Sequence, residues 1–298
     1  MTWIQLSLIS AIFSATAAIV QKKMLRTIDP ILFSFLTSLP ILAGTMYYYQ
    51  PGVWSTLTVS MTMAFVFKTF LSALFFVAVM YSLKNNELSS ALPLLALTPG
   101  LVAVSAFFFL GEKLLVLEII GLVCLLIGPY LLELRVGEPW TRPFTSIARQ
   151  RSRWFIIAAL ALSVATSLLD KYFLKTKLTP NNFLFLQHFY MVLIFSVFLL
   201  VALLFKKVDL KVQRRTLSTW TAWAGLILIG AITVIYRAAQ IFAIKKADSI
   251  AMVLSIKRLS VFFAVVIGGR LLAEKSLLRK SIATAIIIAG TLCIIRFN

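Results

Sequence analysis

The sequence predicts an all-α integral membrane protein: ten transmembrane helices arranged as two inverted five-helix repeats. Three observations carry that reading. Of the 298 residues, 61% are hydrophobic and 13% charged, with a mean hydropathy of +0.98, far outside the composition of a soluble domain. Apolar windows of about 20 residues, the length that crosses a hydrocarbon core about 30 Å thick, recur ten times. The second half of the chain also echoes the first at fixed offsets.

The windows fall near residues 2–21, 30–49, 61–83, 89–110 and 115–134, then 154–174, 182–205, 219–244, 249–269 and 278–296. Pro93 and Pro99-Gly100 should bend or break the fourth and free backbone groups there. Phe109-Leu110-Gly111-Glu112-Lys113 returns 162 positions later as Leu271-Leu272-Ala273-Glu274-Lys275. At that offset Ser89 to Gly128 aligns without gaps onto Ala251 to Gly290, with nine identities in forty. Upstream, Asp29-Pro30 with Phe33 and Phe35 matches Thr179-Pro180 with Phe183 and Phe185 at an offset of 150. The difference of twelve fits a longer connection at 206–218. The expected division is a first repeat over 1–135, a basic connecting loop over 136–153 and a second repeat over 154–298. Five crossings per copy is an odd number, so the second copy enters the membrane inverted, the plan of many secondary transporters.

The formal charge of +19 does not point to nucleic acid, because most Lys and Arg lie between apolar windows, where they set topology. The odd-numbered connections with adjacent helix ends carry 18 of them, against 7 for the even-numbered connections and chain ends. That bias would put the odd connections in the cytoplasm and both termini outside. Cys124 and Cys293 fall inside apolar windows and offer neither a disulfide framework nor a metal site. No cleavable-looking signal precedes Trp3 and no Asn-x-Ser/Thr acceptor occurs, so a prokaryotic inner membrane is the expected location. Paired carboxylates, His-Glu-x-x-His and Ser-His-Asp sets are all missing and His188 is the only histidine, which argues against an enzyme and against any cofactor.

Four basic residues, Lys68, Arg237, Lys257 and Arg258, lie inside windows, where a cation costs at least about 2.5 kcal/mol and marks a functional site by default. At 1.5 Å per helical residue, all four fall about 10 to 13 Å below one face, near the depth of transporter substrate sites. Lys257 and Arg258 are adjacent and suggest an anion. Consecutive residues point about 100° apart, so one is expected to line a cavity while the other braces a neighbouring helix. Their counterparts in the first copy are Leu95 and Ala96, so the scaffold does not need charge there. Lys171, His188 and Tyr236 approach the same face as further candidate contacts, and Tyr81 and Gln240 could add neutral hydrogen bonds. Asp170 could balance the cluster, whereas Lys171 lies close enough to the surface to snorkel.

Ten spans in two inverted copies, each with Glu-Lys closing its fourth span, resemble the drug/metabolite transporter superfamily, in particular its EamA-type members. The Ile256-Lys257-Arg258 segment is similar to the Lys-Arg pair with which plastid sugar-phosphate translocators of that superfamily hold phosphate. The resemblance implies cytoplasmic termini, against the charge bias. It implies a secondary transporter working by alternating access on a small anionic, phosphorylated metabolite. Exchange is favoured because a site this positive reorients reluctantly when empty. Two alternatives remain open: export of amino acids, nucleosides or other carboxylates, and flipping of a lipid phosphate. The expected partners are the anionic substrate and membrane lipids, with the chain a monomer or homodimer.

Overall fold

The computed structural model describes residues 1–54, 57–87, 95, 97–110, 116–117, 119–121, 123–124, 127, 151–176, 178–248, 250–273 and 277–293. Pro93, Ala96, both Glu-Lys pairs, most of the fifth window and nearly all of the connecting segment 136–153 lie outside them. The described helices are α1 (Trp3–Met24), α2 (Pro30–Thr45), α3 (Val59–Asn85), α4 (Thr98–Leu110), α5 (Arg151–Thr176), α6 (Pro180–Leu204), α7 (Leu210–Leu217), α8 (Trp220–Lys246), α9 (Ile250–Lys257), α10 (Leu259–Phe263), α11 (Gly269–Leu271) and α12 (Leu277–Cys293). A π-helical turn, Ala264–Gly268, joins α10 to α11. The fold is all-α, and among the described residues seven stretches are long and apolar enough to cross a membrane. Their outward faces carry exposed apolar residues such as Ile12, Phe67, Val197 and Ile227, which suits lipid and not water.

Two expectations need correcting. The connection at 206–218 is not merely a loop: Asp209 accepts from the Lys211 amide and starts the short helix α7. The ninth window is one apolar span, Met252–Leu271, but not a regular helix throughout: its turn tightens at Arg258 and it then passes through the π turn.

The repeat is visible in local structure. Asp29 and Thr179, 150 residues apart, are the N-caps of α2 and α6, and each precedes a proline at the start of its helix. Pro is favoured there because the first amide has no intrahelical partner to lose. Thr58 and Thr219, 161 apart, are the N-caps of α3 and α8. The packing follows the same exchange. Swapping α1 with α5, α2 with α6, α3 with α8 and α4 with α9 turns the α1–α8 contact into α5–α3. It turns α2–α8 into α6–α3 and α4–α5 into α9–α1, and all of these contacts are present. The α2–α6 and α4–α9 contacts map onto themselves.

Lysines close the helix ends in the same related fashion. Lys22 at the end of α1 donates to Leu83 O (2.5 Å) and Asn86 O (2.7 Å) at the end of α3, and Lys84 donates to Ile28 O at 3.2 Å. In the second half Lys175 on α5 donates to Lys245 O (3.1 Å), and Lys245 on α8 donates to Leu174 O (2.6 Å). A cation on orphan C-terminal carbonyls satisfies acceptors and opposes the helix dipole. Because α1 packs on α8 and α3 on α5, both lysine clamps tie one helix pair to the other.

Close approach between helices relies on small residues, as expected where lipid offers no hydrophobic drive for association. On α1 the buried Ser7, Ala11, Ala15 and Ala18 lie at helical spacing. The tightest point is Gly230 on α8, where an added Cβ would lie 2.7 Å from Pro40 Cβ and 3.3 Å from the Pro40 carbonyl carbon. Pro40 interrupts the interior of α2 and cannot yield its ring position. Gly230→Val is expected to lower the stability of the purified protein by about 1 to 3 kcal/mol through overpacking. An unchanged thermal unfolding midpoint in detergent would refute this contact.

Candidate functional site

Six helices, α2, α3, α5, α6, α8 and α9, with Arg258 at the α9–α10 break, enclose a cavity of about 150 Å³. Its wall has a simple helical grammar. Ser34, Thr37, Ser38 and Ile41 on α2, Ser163, Thr166, Ser167 and Asp170 on α5, and Thr233, Tyr236, Arg237 and Gln240 on α8 all line it. Each set is spaced i, i+3, i+4, i+7, which is one face of a helix.

The wall is also built twice. Thr37, Ser38 and Ile41 on α2 correspond at an offset of 150 to Gln187, His188 and Met191 on α6. Ser72, Phe75 and Phe76 on α3 correspond at 161 to Thr233, Tyr236 and Arg237 on α8. The scaffold therefore contributes equivalent positions from both halves, but the chemistry is one-sided. The first half supplies hydroxyls and rings; the second supplies the cation, the imidazole and the amide at the same places.

Among the described residues, three cations reach this cavity: Arg237, Lys257 and Arg258. The Gln240 carbonyl oxygen accepts from Lys257 Nζ at 2.5 Å and from Arg237 Nη1 at 3.3 Å, so it holds the two positive groups in one place. Lys257 Nζ also lies 5.3 Å from the Tyr236 ring centroid, within cation–π range. Arg258 Nε is buried with no hydrogen-bond partner, a donor of the kind that needs an explanation in a native fold.

Lys257 and Arg258 both line the cavity, contrary to the expected division of labour between adjacent residues. The turn at this point is irregular. The Arg258 amide is shared between Leu254 O and Ser255 O, each at 3.1 Å, and Arg258 O accepts from Val261 N. This tightened turn interrupts the 100° step of a regular helix.

The other candidates separate. Lys68 has no exposed surface and does not line the cavity; it stands one layer behind, with Nζ 2.5 Å from Asp170 Oδ1. The rings of Phe65 and Phe183 lie 5.5 and 4.3 Å from its Nζ. Asp170 is the member of the pair that borders the cavity, and Lys68 neutralises it. His188 and Tyr236 are in the lining, whereas Lys171 is half-buried and outside it. Tyr81 stacks on Phe155 at 5.0 Å instead.

Two features were not anticipated. Gln187, 2% exposed, lines the cavity with its carbonyl oxygen unpartnered. The hydroxyl stripe on α2 and α5 was also missed. Most of its hydroxyls donate to carbonyls one turn back, such as Thr37 to Phe33 O at 2.8 Å and Thr166 to Leu162 O at 2.8 Å, which leaves oxygen lone pairs on the wall. Both sets were available as polar residues at one-face spacing within apolar windows.

The fold has known relatives. Residues 1–134 match the family model described as the EamA-like transporter family, in agreement with the drug/metabolite transporter superfamily that the sequence resembles. A solved structure titled only "Crystal structure of protein" superposes with a TM-score of 0.68 at 15% identity, covering 98% of this chain and 95% of that one. At that identity the likeness shows the fold alone. No curated protein matches the chain.

Proposed function

Because residues 1–134 match the EamA-like transporter family and the fold is that of a multi-pass membrane protein, we propose that the chain is a secondary transporter of a small anionic, phosphorylated metabolite. The observation that carries this reading is charge: Arg237, Lys257 and Arg258 line one cavity whose only described carboxylate, Asp170, is already paired with Lys68. Such a site retains about three positive charges to offer a ligand. The Arg forks suit phosphate or carboxylate oxygens, and Lys257 adds a compact charge. Size narrows the class. A cavity of about 150 Å³ fits a metabolite of a few carbons better than a lipid or a nucleotide.

The two lysine clamps support an alternating-access reading. With five crossings from the end of α1 to the end of α5, as the apolar windows require, the Lys22–Lys84 clamp and the Lys175–Lys245 clamp sit at opposite membrane faces. Each holds the α1–α8 pair to the α3–α5 pair, so releasing one clamp opens the cavity to one side only. In a background lacking Cys124 and Cys293, Lys22→Ala is expected to raise the maleimide reactivity of a Ser72→Cys thiol from one face, and Lys175→Ala from the other. Equal reactivity from both faces in both variants would refute this gating.

The functional test is counterflow in proteoliposomes preloaded with inorganic phosphate, sugar phosphates, nucleotides or carboxylates. Exchange of small phosphorylated compounds supports the proposal. Exchange of carboxylates alone would transfer the site to the carboxylate reading, and exchange of neutral solutes alone would end the anion reading.

A further inference from the structure

The geometry points to a cavity with two poles, and to Gln187 as the residue that selects an anion carrying a hydroxyl group. This rests on the anion reading of the same site. Among the described residues, four lining residues carry a buried polar atom without a hydrogen-bond partner. Asp170 Oδ1 has its ion pair with Lys68 and the Thr233 hydroxyl can donate or accept, which leaves two of fixed and opposite sense: Arg258 Nε, a donor, and Gln187 Oε1, an acceptor. Buried orphans are rare, and each exacts a desolvation cost unless something meets it. A ligand that satisfied both would present acceptor oxygens to Arg258 and a donor to Gln187.

The residue next to Gln187 reinforces the acceptor side. His188 Nδ1 lies 2.9 Å from Leu184 O and donates to it, so a neutral imidazole keeps Nε2 as its remaining acceptor. The two acceptors belong to α6, whereas the donors Arg237, Lys257 and Arg258 come from α8 and the α9–α10 turn. Orientation of the Gln187 amide follows from its surroundings, since an acceptor is the end that favours a cavity lined by cations. The hydroxyls of Thr37 and Thr166, already committed as donors, add acceptor lone pairs.

A hydroxyl fits this pole better than an ammonium group. An ammonium would bring a fourth positive charge into a cavity that already holds three, and the one carboxylate there is bound by Lys68. The substrate class is therefore a small hydroxylated anion, not a bare anion and not a zwitterion.

Two matched pairs test this by counterflow: glycerol 3-phosphate against propyl phosphate, and lactate against propionate. In at least one pair the native protein is expected to exchange the hydroxylated member about tenfold faster, in line with one hydrogen bond gained or lost. Gln187→Leu should bring that preference to within about twofold while propyl phosphate or propionate still exchanges, which also shows that the variant folds. Equal exchange of both members by the native protein would overturn the hydroxyl assignment and leave the anion reading standing. Exchange of alanine as fast as lactate would overturn the choice of hydroxyl over ammonium. No exchange of any of these anions would remove both readings together.

Discussion

Simultaneous replacement of Lys257 and Arg258 by alanine is expected to reduce anion counterflow by about 10² to 10⁴-fold, without loss of folded protein. Hydrogen bonds to charged groups contribute about 1.5 to 3 kcal/mol each, and each 1.4 kcal/mol is about a factor of ten in affinity. Two such contacts set the range. Folding should survive because the matching positions in the first half are Leu95 and Ala96, and Leu95 is simply buried among apolar neighbours. Lys257→Arg keeps the charge but changes the single Nζ that meets Gln240 at 2.5 Å, so it should retain part of the activity. Full counterflow in the double alanine variant would show that neither residue touches the substrate.

Removing one partner of the Lys68–Asp170 pair should be the most destabilising single change. Lys68 is fully enclosed and Asp170 is 5% exposed, and breaking a buried pair leaves a bare charge that costs about 3 to 5 kcal/mol. Asp170→Ala would also strand Lys68 between Phe65 and Phe183, whose ring faces cannot replace a carboxylate. The double variant Lys68→Met with Asp170→Leu removes the pair without altering the net charge around the cavity. It should recover most of the lost stability, because buried pairs are often matched by well-packed apolar residues. Thermal unfolding of the purified single and double variants checks this. If Asp170→Ala unfolds at the native temperature, the pair is not the brace that its burial implies.

These two predictions separate what the sequence disclosed from what it withheld. Lys257 and Arg258 were legible because a charge within an apolar window is anomalous whatever surrounds it. The repeat was legible through its offsets, and the structure extends them: the caps Asp29 and Thr179 stand 150 apart and the caps Thr58 and Thr219 stand 161 apart. Lys68 was grouped with the cavity cations and Asp170 named as a balance for that cluster; the structure pairs the two directly, with Lys68 behind the lining. Counting residues fixes height along a helix and not the direction in which a side chain turns, so which cation Asp170 meets could not be read. The break at Arg258 has neither proline nor glycine at its position to announce it. The hydroxyl stripe escaped for another reason: Ser and Thr within membrane helices often bond their own backbone, and only their shared face around one cavity gives them meaning. Gln187 fell between these cases, an uncharged polar residue whose importance lies in an oxygen that none of the described residues meets.

A buried, positively lined cavity is expected to hold an anion. Calorimetric titration of the purified protein with glycerol 3-phosphate, and with glycerol as its neutral counterpart, reads this out. Expected are saturable binding of glycerol 3-phosphate to the native protein, at least about 100-fold weaker binding to the Lys257→Ala, Arg258→Ala variant, and no comparable heat with glycerol. Equal binding of the phosphate ester by native protein and folded variant would contradict it.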